Sequence, residues 1–402
     1  MNLKSKKLSD RLPLGRIVLL AIIIFCILYN ISTKFNESLT SARMVIFFLI
    51  VFWAAVDRRG FDLIDWRLLL IFLPVPYVFV QFAIVHDFGQ LSRFMHLYLY
   101  SFVGAALVAR YAGRLDVVLW AVLGAVSLQS IILLFSFVSI EYRLWVDSYI
   151  VSGGNFGADN IYRAPGFTSD SGSSLSVIQS MGVLSGGFLL WFTKDCRDFS
   201  RYCILFLMLL CLTSCVVVGR TGLILSGLFC LIFIRAGLAW REIFIIFLGL
   251  IPIVGGSLCY IKDMLPPGFS VDFFLDWAFG FMSGKDVTVG ELSSMPIAPL
   301  GLETMFGYGL VSVVDGYNPS NHDSGFIQNY YSMGFVVVVL FYALYVYILS
   351  RLLKWLPYVV RYSLMGIFFA IEVKEPFLFK YAIMFVLVAS YVANDEMHKR
   401  SK

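Results

Sequence analysis

Residues 318–331 read NPSNHDSGFIQNYY, a polar, turn-rich stretch that sets His322 beside Asp323 and then runs into a long apolar segment. Imidazole titrates near neutrality without help from its surroundings. A neutral His322 held there can take a proton from a hydroxyl, with Asp323 orienting it or meeting the substrate. The plainer reading makes Asn321, Asp323 or Ser324 the cap of the following helix and leaves His322 exposed.

Two arginines extend the chemistry. Arg220, in TSCVVVGRTGLILSG, stands between two apolar runs with almost no loop around it. It is either an interfacial side chain snorkelling to lipid phosphate or a fixed cation facing an anionic ligand. A guanidinium suits the second role, because it grips phosphate oxygens through two parallel hydrogen bonds and stays charged at any relevant pH. Arg163, in NIYRAPGFTSDSGSS, precedes another apolar run, with Pro165 and Gly166 fixing a turn. One reading is a solvated loop arginine with Asp170 or Ser171 capping the helix. The other is a second cation meeting Arg220, with backbone amides near Ser171–Ser174 as further donors to an anion.

Taken together, two fixed positive charges and one titratable base suit expulsion of a diphosphate leaving group while a hydroxyl is deprotonated. No metal is expected, since no DxD or His/carboxylate cluster stands out. Asp272 and Asp276 fit the solvated face of a surface helix. Arg143 and Gly154 form an R-x10-G spacing, a weak signal that adds Arg143 to the substrate-contacting set. VKEPFLFKY, with Glu372, Lys374, Glu375 and Lys380, reads as an ordinary mixed-charge turn before a helix begun by Pro376; lining an acceptor groove is its other reading. His86, His96 and His398 have no companions that suggest chemistry. Cys211 and Cys215, four apart in an apolar run, read as small core residues.

These residues need a scaffold, and the composition names it. Of 402 residues 59% are hydrophobic and only 14% charged, against roughly 25% charged in a soluble domain. Many apolar runs approach the length that crosses a bilayer as a helix, and they are too continuous for barrel strands. The expected fold is an all-α polytopic membrane protein. About twelve spans are predicted, near 16–33, 42–56, 66–85, 94–112, 115–139, 173–193, 202–219, 222–236, 243–261, 325–350, 357–373 and 376–393. They form a single integral membrane domain over 1–402, in which the net charge of +5 orients spans and does not imply nucleic acid.

With the N terminus inside, 21 of the 31 Lys and Arg residues fall on the inner side. The positive-inside rule then puts both termini in the cytoplasm and His322, Arg220 and Arg163 all outside. Two long outer loops are expected, 140–172 and 262–324, and long loops on a rigid scaffold commonly carry function. Within the second, Val271 to Met282 has the apolar spacing of an amphipathic helix on the membrane face, and Gly307 and Gly309 mark a bend.

The span pattern, the late outer loop, R-x-x-G-F at 163–167, GRTG at 219–222, and GYG followed by NHDSGFIQNYYSMGF resemble the Wzy-type O-antigen and capsule polymerases. They are also similar to the O-antigen ligases of the same superfamily, in which His-Asn usually stands where this chain has His322-Asp323. The resemblance implies a metal- and cofactor-independent glycosyltransferase of the membrane-embedded class C type in the bacterial inner membrane, with a periplasmic active site. Its substrate would be an oligosaccharide on undecaprenyl diphosphate. Arg163 and Arg220 would hold the diphosphate, and His322 would be the base on the acceptor hydroxyl. Asp323, Arg143, Asp170 and Asn321 would contact substrate, with Tyr308 and Tyr330 among the loop aromatics that stack on sugar faces. Membrane lipids and a chain-length-regulating co-polymerase are the implied partners. Besides the ligase, a lipid-linked oligosaccharide flippase or transporter is the alternative. That class puts polar residues and helix breaks near the midplane, where this sequence offers only Gln81, Gln129, Gln179, Gly186-Gly187 and Gly255-Gly256.

Overall fold

The computed structural model describes residues 13–56, 65–151, 166–192 apart from 169 and 171, 198–235, 249, 297–311 and 320–399 apart from 321. The predicted ninth span apart from residue 249, the surface helix at 271–282, and most of the second long loop lie outside the described residues, as do Arg163 and Asn321. Among the described residues the chain is helical, with no strand beyond isolated bridges such as Thr33 to Ile150. Six helical segments are long and apolar enough to cross a membrane: Trp66–Val85, Gly89–Ala112, Leu115–Val138, Gly172–Phe192, Ser200–Val218 and Phe335–Leu352. Three shorter apolar helices, Leu14–Tyr29, Ser41–Ala55 and Arg220–Ile234, accompany them. An all-α membrane protein is what these elements make.

In chain order the helices are α1 (Leu14–Tyr29), α2 (Ser41–Val56), α3 (Val75–Val85), α4 (Gly89–His96), α5 (Ala105–Ala112), α6 (Leu115–Val138), α7 (Ile140–Tyr149), α8 (Gly172–Phe192), α9 (Asp198–Val218) and α10 (Arg220–Arg235). There follow α11 (Leu302–Phe306), α12 (Gly325–Met333), α13 (Phe335–Leu352), α14 (Tyr358–Ala370) and α15 (Ala382–Lys399). A wide π-type stretch, Leu97–Gly104, joins α4 to α5.

The centre is α8, buried along almost its whole length. Its small residues explain why. A Cβ on Gly182 would lie 2.7 Å from Cys211 Sγ of α9 and from Val126 Cγ1 of α6. One on Gly186 would lie 2.3 Å from Met208 Cγ, and one on Gly187 2.2 Å from the Phe233 ring of α10. Close approach at small residues is how helices associate where lipid removes the hydrophobic drive between them. The Gly186-Gly187 pair is therefore a packing seam, not a break. Gln179 of α8 is satisfied inside the bundle: its Oε1 accepts from Ser130 at 3.0 Å and Ser214 at 3.2 Å, and its Nε2 donates to Tyr29 OH at 3.2 Å.

Three boundaries differ from the sequence reading. The first long loop opens with a helix, α7, capped by Ser139 Oγ accepting from the Tyr142 N–H at 3.2 Å. The tenth predicted span divides into α12 and α13 at Gly334, whose φ of +81° belongs to the left-handed side of the map that glycine tolerates. Residues 376–381 are a turn, and the last helix starts at Ala382, because the preceding Glu372 folds the backbone around its carboxylate.

Candidate functional site

The turn at 371–381 is the anchor, and Glu372 organises it. Glu372 is completely buried. Its Oε1 accepts from Tyr342 OH at 3.2 Å and Asn329 Nδ2 at 3.4 Å, while Oε2 accepts from the Leu378 N–H at 3.0 Å. The start of α12 is seated on this turn: a Cβ on Gly325 would lie 2.6 Å from Glu372 Oε1 and 2.7 Å from Pro376 Cα. A carboxylate thus ties together α12, α13 and the turn that leads into α15.

The far side of the same turn reaches α8. Lys380 Nζ donates to Glu375 Oε2 and to Ser174 Oγ, and Ser174 lies 3.2 Å from Glu375 Oε2. Just ahead of α8, Asp170 is half-buried, with its N–H on Thr168 Oγ1 at 3.0 Å. Burial raises the proton affinity of its carboxyl; the nearby Glu375 adds to the rise and Lys380 opposes it.

Arg220 enters through two glycines. A Cβ on Gly219 would sit 3.0 Å from the Gly172 carbonyl oxygen and 3.1 Å from Ser176 Oγ, and one on Gly222 would sit 2.0 Å from the Ser176 carbonyl. Ser176 Oγ also accepts from the Gly222 N–H at 3.0 Å. The turn between α9 and α10 is thereby pressed onto the first turn of α8. Arg220, half-buried at the start of α10, belongs to the turn packed on the end of α8 that also carries Ser174.

His322 is held by hydrogen bonds on both its ring and its backbone. Nδ1 accepts from the Ser324 N–H at 2.9 Å. Gln328 Nε2 donates to the carbonyls of His322 at 3.1 Å and Asp323 at 3.3 Å, and Gln328 Oε1 accepts from Arg93 Nη2 at 2.8 Å. The Arg93 guanidinium lies 5.9 Å from the centre of the Phe379 ring, which links α4 to the same turn. Asp323 is exposed.

The remaining expected residues fall into two neighbourhoods. Tyr308 and Tyr330 flank a crossing of two segments of the chain. Tyr308 N–H donates to Tyr331 O at 2.7 Å and Gly309 N–H to Ser332 O at 3.0 Å. A Cβ on Gly307 would lie 2.4 Å from the Gly334 nitrogen. Gln81 on α3 supports the crossing from behind, its Nε2 donating to Phe306 O at 2.9 Å and Ser332 O at 3.0 Å. Tyr308 OH donates to Glu303 Oε2 and Tyr330 OH to Ala298 O, each at 3.0 Å. Both hydroxyls therefore hold the described end of the second loop. Asp87 clamps it further, its Oδ2 accepting from the Val311 N–H at 2.7 Å. Arg143 is buried on α7, where desolvation lowers its proton affinity and Asp147 works against that. The Trp145 ring of the same helix lies 6.2 Å from Phe167, at the start of the segment carrying Asp170.

Sequence reasoning passed over Arg93 and ranked Glu375 and Lys380 as an ordinary turn. Arg93 falls just before the predicted span 94–112; the structure puts it inside the longer helical segment Gly89–Ala112, where a charged residue is costly and tends to face a polar interior. Nothing in the sequence paired it with Gln328, 235 residues away. Comparison with protein-family models, with curated proteins and with solved structures returns no match.

Proposed function

We propose that the chain is a bacterial inner-membrane glycosyltransferase that polymerises lipid-linked oligosaccharide repeat units, of the kind that make O-antigen or a related surface polysaccharide. The nonreducing-end hydroxyl of one undecaprenyl-diphosphate-linked unit attacks the anomeric carbon of another glycan, and undecaprenyl diphosphate leaves. The architecture in this reading has about twelve spans, class C organisation, cytoplasmic termini and a periplasmic site.

One observation carries the reading: sequence-distant segments bearing Arg220, Lys380, Asp170 and His322 are assembled around a single turn, 371–381. A fixed guanidinium beside the first turn of a long helix suits a diphosphate. Titratable groups alongside suit proton removal from a hydroxyl. Arg93 and Gln328 hold the His322 backbone in place, which is the support that a precise site requires.

Deleting the gene and reading the glycan ladder tests this. One-unit products support a polymerase. Glycan that fails to reach lipid A core supports the ligase, and lipid-linked units stranded in the cytoplasmic leaflet support a flippase. Complementation with Arg220→Ala is expected to leave the protein in the membrane and the ladder at one unit; normal chain length in that strain removes the mechanism.

A further inference from the structure

A polar seam runs between α4 and α12, and hydrogen bonds fix both of its ends. Arg93 Nη2 of α4 donates to Gln328 Oε1 at 2.8 Å, and Gln81 Nε2 of α3 donates to the Ser332 carbonyl at 3.0 Å. Gln328 and Ser332 stand one turn apart on the same side of α12. Gln90 stands three residues before Arg93, on the same side of α4. The turn ahead of α4 gives the direction. Asp87 Oδ2 accepts from the Val311 N–H at 2.7 Å, and the Gly309 N–H donates to that same Ser332 carbonyl at 3.0 Å. The start of α4 therefore lies toward Ser332 and its next turn toward Gln328. Gln90 falls opposite the interval between them.

The polar atoms of this interval lack protein partners. Gln90 is 1% exposed, and neither its Nε2 nor its Oε1 has a hydrogen-bond partner among the described residues. The same holds for Ser332 Oγ, on a side chain that is completely buried, and for Gln81 Oε1 and Arg93 Nη1. An uncompensated buried amide costs about 1–3 kcal/mol, and a bilayer around the bundle offers nothing to offset it. Gln179, also buried, has both ends of its amide met by neighbouring helices. Unmet atoms gathered on one seam mark a place for a hydrogen-bonding ligand.

Their chemistry selects its class. Gln90 Nε2, Arg93 Nη1 and the Ser332 hydroxyl offer hydrogens, whereas Gln90 Oε1 and Gln81 Oε1 require them. A phosphate oxygen only accepts, so it would leave both amide carbonyls unmet. A hydroxyl gives one hydrogen bond and takes others, and adjacent hydroxyls on a sugar ring serve both needs at once. Burial deepens along the seam: Asp323 is exposed, His322, Arg93 and Gln328 are half-buried, and Gln90 and Ser332 are buried.

We propose, resting on the polymerase reading, that this seam is the subsite for a sugar ring of the acceptor glycan. Gln90, Ser332, Gln81 Oε1 and Arg93 Nη1 hold its hydroxyls. Gln328 joins the subsite to the backbone of His322 and Asp323 through its bonds to their carbonyls. No covalent bond changes here; the seam orients the acceptor for a transfer that takes place beyond it.

The probe is the repeat-unit oligosaccharide from the native cells, freed from its diphosphate lipid, so that it can act as acceptor but not as donor. Its binding to the full-length protein in detergent is measured by calorimetry, and its KM by transfer from lipid-linked donor. Gln90→Leu is expected to weaken binding about tenfold or more, the worth of one or two hydrogen bonds. The KM for the oligosaccharide should rise in step, with kcat and undecaprenyl diphosphate binding little changed. Ser332→Ala, a gentler change, is expected to weaken binding about three- to tenfold. Since the Gln90 amide has no protein partner, Gln90→Leu is expected to unfold no earlier than wild type. Wild-type affinity in both variants overturns the subsite and leaves the polymerase reading standing, as does wild-type protein that binds none of the free oligosaccharide. Earlier unfolding of Gln90→Leu with an unmoved KM assigns the seam to ordered water and overturns the subsite too. Oligosaccharide binding that Gln90→Leu weakens, in a wild-type protein that extends no glycan, keeps the subsite and sinks the polymerase reading.

Discussion

Gly222 lies so close to Ser176 that a Cβ on it would come within 2.0 Å of the Ser176 carbonyl oxygen, while its own N–H is bonded to Ser176 Oγ at 3.0 Å. The contact fixes where Arg220, two residues earlier, stands relative to α8. Gly222→Ala is expected to push α10 off α8, at a cost of about 1–3 kcal/mol for overpacking. Transfer is expected to fall more steeply than stability. Thermal unfolding and glycan ladder length, measured on the same variant, check both.

The link from Arg93 through Gln328 to the backbone of His322 and Asp323 predicts a graded series. Gln328→Leu removes the amide and leaves the Arg93 guanidinium short of an acceptor. Its transfer rate is expected to drop about ten- to a hundredfold, the scale on which misplaced catalytic groups cost activity. Gln328→Glu keeps an acceptor for Arg93 but loses the donor to the two carbonyls, and should fall between. The comparison requires equal amounts of folded protein, checked by size-exclusion chromatography.

Glu372 accepts from Tyr342, Asn329 and the Leu378 N–H in a fully buried position. Tyr342→Phe deletes one neutral donor and is expected to cost about 1 kcal/mol. Glu372→Ala leaves the Tyr342 hydroxyl and the Leu378 N–H without their acceptor, while Asn329 Nδ2 keeps only its bond to Tyr342 OH at 2.9 Å, so loss of folded protein is expected. Glu372→Gln keeps the shape and should be intermediate. Denaturation midpoints in a fixed detergent rank the three; equal midpoints for the phenylalanine and alanine variants would contradict this account.

Gly307 and Gly334 have φ of +72° and +81° and pass within van der Waals contact of one another's backbone. A side chain at either position meets backbone within 2.5 Å as well as an unfavourable conformation. Gly307→Ala and Gly334→Ala are both expected to reduce the yield of folded protein, and the double variant should show no rescue. Gly366, with nothing within 4 Å of an added Cβ, is the control: Gly366→Ala should leave yield unchanged.

What the sequence determined by itself was the class of fold and the residue types of the site. Apolar runs of bilayer length can be satisfied as helices and hardly otherwise, so α6, α8 and α9 match their predicted spans to within a few residues. The basic count and the oddly placed Arg220, Asp170 and His322 were visible as types and spacings. Helix ends and partners were decided by contacts. The tenth span divides at Gly334 because another chain segment, at Gly307, occupies the space a continuous helix would need. The last helix starts at Ala382 because Glu372 draws the Leu378 N–H into a turn. Arg93 joined the site through Gln328, and Lys380 through Ser174, 206 residues away. Local pattern reports which face of an element is apolar; it holds no record of which distant donor will meet a given acceptor, because that choice is made only when the helices pack.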